Sequence, residues 1–242
     1  MIKVLVNGAK GKMGQEVVKA VSADSELELV GQLDFEDNLA ELIKSTKAEV
    51  VVDFTTAEVG YQNCLIIMEA GACPVIGTSG FKKEDVKKLQ EIAKAKNIGG
   101  VIAPNFAIGA VLMMKFAKEA AKYLPNVEIV ETHHDKKIDS PSGTAIRTAE
   151  LIAETKAKIS NRPKEVALIP GARGAVIDDI QIHSLRLPGF VAHQEVIFGG
   201  QGQALTIRHD SNHRESFMPG VCLACKEVVK RKELFYGLEH LL

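Results

Sequence analysis

Three things are scarce in this 242-residue sequence, and each scarcity closes off a class of function. The first is an excess of charge of either sign. Thirty Lys and Arg are interspersed with 31 Asp and Glu, leaving a formal net charge of −1. A nucleic-acid-binding face or a polybasic membrane anchor needs concentrated positive charge, so neither kind of partner is expected. The second is any long apolar run: none approaches the ~20 residues that a transmembrane helix requires. Met1-Ile2-Lys3 leads straight into a strand pattern and not into a signal peptide, so a soluble, cytoplasmic protein is expected. The third is cysteine, with four residues in all. Cys64 and Cys73 lack ligand spacing, and Cys222-x-x-Cys225 is a lone pair within an apolar helical pattern. A zinc site wants a second pair, so these cysteines are taken as structural and no metal is expected.

What is present is a regular alternation of strands and helices, with enough apolar residues (46%) for one large core or two modest ones. Residues 2–7 form a short apolar strand pattern. The turn Gly8-Ala9-Lys10-Gly11-Lys12-Met13-Gly14 follows, and then an amphipathic helix to about residue 23. Strand, glycine turn and helix in that order suit a dinucleotide: glycines let the backbone approach a pyrophosphate, which rests on the helix N-terminus. The spacing is Gly-x-x-Gly-x-x-Gly, with Lys10 where the commoner fingerprint has its second glycine. A second strand, residues 27–33, runs into Asp34, where an acid can accept hydrogen bonds from a ribose diol. That placement favours NAD, while Lys12 could meet a 2′-phosphate, so NADP stays open.

Further strands are predicted at residues 49–54, 73–78 and 99–103, with helices at 38–45, 57–70 and 83–96 between them. Strands separated by helices of this length mean a parallel, doubly wound, Rossmann-like sheet whose ligand lies beyond the carboxyl ends of the strands. Those ends carry Asp53-Phe54-Thr55, Gly77-Thr78-Ser79-Gly80 and Ala103-Pro104-Asn105-Phe106. Pro104 marks a break, taken as a hinge. After it come a helix at 108–123, a strand from 127, a helix at 145–156 and a loop-rich passage at 160–174. Strand-like runs at 180–187, 192–198 and 203–209 follow with few crossover helices, as in an α+β domain with a largely antiparallel sheet. The broad face of that sheet is a candidate for pairing with another subunit. A last helix at 214–230 is expected to return to the first domain, giving a dinucleotide-binding domain of residues 1–104 and 215–242 and a second domain of 105–214.

The densest chemistry lies in residues 131–145: Glu-Thr-His-His-Asp-Lys-Lys-Ile-Asp-Ser-Pro-Ser-Gly-Thr-Ala. If the strand continues through His133 and His134, the two rings point to opposite faces and cannot share one metal. The amides of Ser142, Gly143 and Thr144 fall at a predicted helix N-terminus, where free N–H groups and the helix dipole bind a carboxylate or phosphate. Lys136 and Lys137 add positive charge. Taken singly, a histidine pair or a Ser-x-Gly-Thr cap is ordinary structure; together they make a receptor for a small anion with acid/base groups beside it.

The glycine turn, Gly77-Thr78-Ser79-Gly80, Ala103-Pro104-Asn105-Phe106 and the run His-His-x-x-Lys-x-Asp-x-Pro-Ser-Gly-Thr-Ala from His133 to Ala145 together resemble the 4-hydroxy-tetrahydrodipicolinate reductase (dihydrodipicolinate reductase) family. The resemblance spans nearly the whole chain. It implies an NADH- or NADPH-dependent reductase of a small dicarboxylate in the diaminopimelate route to lysine, assembled as a homotetramer through the second sheet. Carried across by position, Gly8, Ala9, Lys10, Gly11, Lys12, Met13 and Asp34 hold the adenosine and pyrophosphate. Gly77, Thr78, Ser79, Ala103, Pro104, Asn105 and Phe106 line the nicotinamide end. His133 is the proton donor/acceptor, Lys137 the proton donor, and His134, Ser142, Gly143 and Thr144 bind substrate. Three departures stand out. Lys12 replaces the usual Arg and loses its two-pronged grip on phosphate. Leu187-Pro188-Gly189-Phe190 replaces a glycine-rich turn, and the segment after Asp34 is short. Two rival classes are another Rossmann enzyme of amino-acid precursors, such as an aspartate or homoserine dehydrogenase, and a nucleotide sensor without turnover; the run from His133 argues against both.

Overall fold

The computed structural model describes residues 1–78, 80–157 and 166–242. Ser79 and part of the loop-rich passage at 160–174 lie outside the described residues. The chain divides into two compact units, one of Met1–Ile108 with Arg214–Leu242 and one of Gly109–His213.

The first unit alternates β1 (Ile2–Asn7), α1 (Lys12–Ala23), β2 (Leu27–Leu33), α2 (Leu39–Thr46), β3 (Val50–Asp53), α3 (Ala57–Glu69), β4 (Cys73–Ile76), α4 (Lys83–Lys96) and β5 (Gly100–Ile102). The strands are short aliphatic runs that are buried on both faces: Val4, Leu5, Val6, Val50, Val51, Val52, Val75 and Ile76 are all fully inaccessible. Continuous apolar strands of this kind suit a parallel sheet covered by helices on each side. Helix boundaries follow local chemistry. The Asn38 side chain accepts from Glu41 N at the start of α2, and α4 carries Glu84 and Asp85 in its first turn and Lys94 and Lys96 in its last, matching the helix dipole.

With β11 (Leu234–Tyr236) the sheet has six strands, all parallel, in the order β11-β5-β4-β3-β1-β2. The chain leaves β1 for β2 on one side and later returns to β3 on the other, so the switch in direction lies between β1 and β3. The sixth strand, β11 (Leu234–Tyr236), is only three residues long and pairs with β5. It was not expected, because three residues carry no readable alternation. The single helix expected at 214–230 is a 3₁₀ turn, Arg214–Phe217, followed by α7 (Met218–Val228). That helix packs on α1, β1, β3, β4 and β5. Cys222 and Cys225 are buried on it, and burial pushes both thiols up, away from the reactive thiolate.

The second unit contains α5 (Ile108–Ala120, all but its first residue), β6 (Asn126–His133), α6 (Gly143–Ala153), β7 (Ala175–Ile177), β8 (Ile180–Arg186), β9 (Ala192–Gly200) and β10 (Gln203–Ser211). The five strands run in the order β10-β9-β6-β8-β7. The sheet is mixed: β6 and β8 are parallel at its centre, and the other three pairings are antiparallel. The parallel pair follows from the long crossover that contains α6, since parallel neighbours cannot be joined by a tight turn. Period-two alternation puts Val127, Ile129, Ile182, Val196 and Phe198 on the buried face, with Ala145, Ala149 and Ile152 of α6 in the same core.

Candidate active site

β6 ends at His133, so His134 begins the following loop and the opposed-face geometry expected for a continuing strand does not arise. Two positions before His133, and therefore on the same face, stands Glu131. It is completely buried (0% exposed) at a position where the alternation calls for an apolar residue. Its carboxylate is the centre of the cluster. Arg186, at the end of β8, donates through Nη1 to Oε2 and through Nη2 to Oε1, both at 2.9 Å. His133 Nδ1 lies 2.5 Å from Oε2, and Ser142 N donates to Oε1 at 3.2 Å. Burial pushes the Glu131 carboxyl up, but hydrogen bonds from His133, Arg186 and Ser184 outweigh it and hold the group at about 2. An ionised carboxylate only accepts, so His133 carries its proton on Nδ1 where it meets Glu131.

The same arginine reaches the next loop, where Arg186 Nη2 donates to the Asp139 carbonyl at 2.7 Å. Lys137 Nζ donates to both carboxylate oxygens of Asp139, each at 2.7 Å. A continuous series of contacts therefore runs His133, Glu131, Arg186, Asp139, Lys137. Ser142 caps α6: its Oγ accepts from Ala145 N at 3.2 Å. Here one expectation is corrected. The Ser142 amide, expected to be free, donates to the buried Glu131 carboxylate. Gly143 is open, with no atom within 4 Å of where a Cβ would stand.

Glu131 and Arg186 were not expected as site residues. Their signal was weak but present: an acid two residues before a histidine on the inward face of a strand. In the Leu187-Pro188-Gly189-Phe190 departure, Gly189 takes a left-handed φ of +87° and the Phe190 ring meets the His193 ring edge-on, with centroids 4.9 Å apart.

In the first unit, Gly8 sits at φ +78° and Gly14 packs so closely that a Cβ there would stand 2.0 Å from Gly8 O. Replacing Gly14 with Ala should therefore disrupt the turn. Most amides of this turn are committed internally. Gly8 N and Ala9 N donate to Leu33 O, at 3.0 and 2.9 Å, and Gly11 N donates to Gly8 O at 3.1 Å. Lys10 N donates to Asp34 Oδ2 at 2.9 Å. The N-cap of α1 is Gly11, with no side-chain cap, so the helix start at Lys12 and Met13 is the part of the turn left for an anion. Hydrogen bonds from the Lys10 and Phe35 amides hold the Asp34 carboxyl below the usual carboxylate range. At the other strand ends, Thr78 is buried, Ala103 N donates to Ile76 O at 3.0 Å, and Asn105 Oδ1 accepts from Ala107 N at 2.7 Å. Phe106 is 1% exposed, so its ring is core. Among the described residues there is no group of three or more His, Cys, Asp or Glu placed to hold a metal, and no helix long and apolar enough to cross a membrane.

A parallel sheet with a glycine turn after its first strand, an acid after its second and a switch point between the first and third defines a Rossmann-type, dinucleotide-binding class of fold. Comparison with known proteins narrows the class. The family models for the dihydrodipicolinate reductase N-terminus and C-terminus match residues 2–106 and 109–242. The 4-hydroxy-tetrahydrodipicolinate reductases of Streptococcus gordonii and Streptococcus sanguinis are 56% and 57% identical to it, each alignment covering 100% of this chain and 99% of the relative. The solved dipicolinate-bound dihydrodipicolinate reductase from Paenisporosarcina sp. TG-14 is 44% identical, with a TM-score of 0.87 and full coverage of both chains. An amine dehydrogenase from Mycobacterium smegmatis, 13% identical with a TM-score of 0.69 over 98% of this chain and 95% of its own, shares the fold alone. The chain belongs to the dihydrodipicolinate reductase family.

Proposed function

We propose that this protein reduces 4-hydroxy-tetrahydrodipicolinate to tetrahydrodipicolinate, the reductase step of the diaminopimelate route to lysine, with a reduced nicotinamide dinucleotide in the cytoplasm. The observation that carries the reading is the contact series from His133 through Glu131, Arg186 and Asp139 to Lys137, with Glu131 also bonded to the N-cap residue of α6.

When bound, the dinucleotide supplies a hydride; Lys12 and Met13 at the start of α1 suit its pyrophosphate, and Asp34 its adenosine ribose. The 4-hydroxyl leaves as water to give a conjugated imine, and reduction of that imine needs a proton besides the hydride. Lys137 is the candidate donor, with His133 Nε2 as the second proton-transfer group. The helix dipole and the amide of Gly143 suit one carboxylate of a diacid, with Thr144 beside it and His134 the candidate for the other. The Paenisporosarcina relative holds dipicolinate, a small aromatic diacid, which supports the same substrate class for this chain.

The test is a coupled assay. Pyruvate and aspartate semialdehyde are condensed by a synthase, this protein is added, and absorbance of the reduced nucleotide is followed. Consumption that depends on both the synthase and this protein is expected; none would remove the proposal.

NADH is the better cofactor on this reading. An Asp34 carboxylate held ionised repels a 2′-phosphate, and the next side chain, Phe35, is 97% exposed and offers no cation. We expect kcat/KM to be at least tenfold higher with NADH than with NADPH, and Asp34→Asn to narrow that ratio. Equal efficiencies in the native protein would contradict the assignment.

The assembly we infer is a homotetramer formed through the second sheet. The face opposite the buried alternation carries Val130, Leu185 and Ile197, with Val176 at the edge. Val176 is 59% exposed and Leu185 39%, and such a face wants covering. Light scattering on the eluted protein should give four times the chain mass of 26.2 kDa.

A further inference from the structure

Asp53, the last residue of β3, is completely buried (0% exposed). Its two oxygens accept five hydrogen bonds. Asn7 Nδ2 and Asn63 Nδ2 each donate to Oδ2 at 2.8 Å. Thr55 N, Thr55 Oγ1 and Thr78 Oγ1 donate to Oδ1 at 3.1, 2.7 and 2.8 Å. None of these partners is a cation. A carboxylate buried without a countercharge is an expensive way to hold a core together, and apolar residues of similar size usually do it at least as well.

The location of the donors supplies another reason. Asn7 ends β1 immediately before Gly8, Thr55 follows β3, and Thr78 follows β4 immediately after Gly77. These are the carboxyl ends of three adjacent strands, the edge at which sheets of this type take their ligand. The neighbouring residue, Phe54, completes the arrangement. A Cβ on Gly8 would come within 2.8 Å of Phe54 O, and one on Gly77 within 2.1 Å of the Phe54 ring. That ring lies 5.8 Å from the ring of Phe106. One dipeptide thus touches every strand end assigned to the cofactor except that of β2.

We infer that Asp53 is a positioning residue for the dinucleotide: it fixes the ends of β1, β3 and β4 at the spacing the glycine turns need, without touching the cofactor. The inference rests on the reading that those turns hold a reduced nicotinamide dinucleotide. An acceptor-only group is required because the Thr55 amide cannot reverse its role. An asparagine in this place would aim its own NH2 group either at that N–H or at the amide nitrogens of Asn7 and Asn63.

The experiment measures NADH binding by the full-length protein, using the fluorescence of the bound nucleotide, at a temperature where circular dichroism shows each variant folded. Asp53→Asn is expected to raise the NADH Kd at least tenfold. A residue that served stability alone would lower Tm and leave that Kd in place, so a Kd within threefold of the native value overturns the inference. Should Asp53→Asn fail to fold, Asn63→Ala takes its place. It removes one donor from α3, far along the chain from any glycine turn, and is expected to raise the Kd at least threefold; an unchanged Kd overturns the inference equally. A native protein that binds no NADH overturns the dinucleotide reading together with this one, whereas native binding retained in the variants overturns this one alone.

Discussion

Replacing Glu131 with alanine is expected to destabilise the protein by about 3–5 kcal/mol, the range for removing one member of a buried ion pair. The cost comes mainly from what remains. Arg186 keeps its charge at a site where Glu131, completely buried, had supplied two of its acceptors, and Ser142 N and His133 Nδ1 lose theirs. Urea unfolding measures the loss directly. The double variant Glu131→Ala/Arg186→Met should recover much of it, because no charge is then left without its partner. A single-variant loss below about 1 kcal/mol would mean that the arginine has another acceptor within reach.

Acid should act on the same group. The Glu131 carboxyl is held at about 2, below its ordinary value of 4.5. A carboxylate with a depressed folded value contributes stability that is complete above the ordinary value and disappears as pH falls through the folded one. The native protein should therefore lose stability between about pH 4.5 and pH 2, and Glu131→Gln should show a shallower decline across that window.

The second large effect is catalytic. Lys137→Ala is expected to lower kcat by about 100-fold, the lower end of what a positioned acid contributes. Stability should barely change. The pair with Asp139 is partly exposed on its aspartate side, and such pairs contribute on the order of 0–1 kcal/mol. A kcat within threefold of the native value would remove Lys137 from the proton-transfer role and leave His133 as the remaining candidate.

Local patterns in the sequence were enough for the glycine turn, Asp34, the parallel strands and the dense run after Glu131, since each is written within a few consecutive residues. The hubs were not legible. Glu131 and Arg186 are 55 residues apart and meet only because β6 and β8 lie side by side, with Glu131 opposite Ser184 and His133 opposite Arg186. Asp53 draws donors from 46 positions before it and 25 after it. A buried carboxylate looks like any other acidic residue until the strands are placed. The strands β7 and β11 escaped for a simpler reason: three residues show no period. The Ser142 amide, expected to be free at the helix start, donates to an acceptor in the preceding strand, eleven residues back, a pairing that no local pattern announces.

The first unit is discontinuous, and this bears on how the protein is made. Its sixth strand and the helix that packs on β1, β3, β4 and β5 come from the final 29 residues, Arg214–Leu242. While the ribosome is still synthesising the middle of the chain, one side of the early strands has no cover and β5 is an unpaired edge, the kind of surface on which nascent chains stick to one another. The inserted unit can finish folding first, and the first unit closes only once residues Arg214–Leu242 have been made.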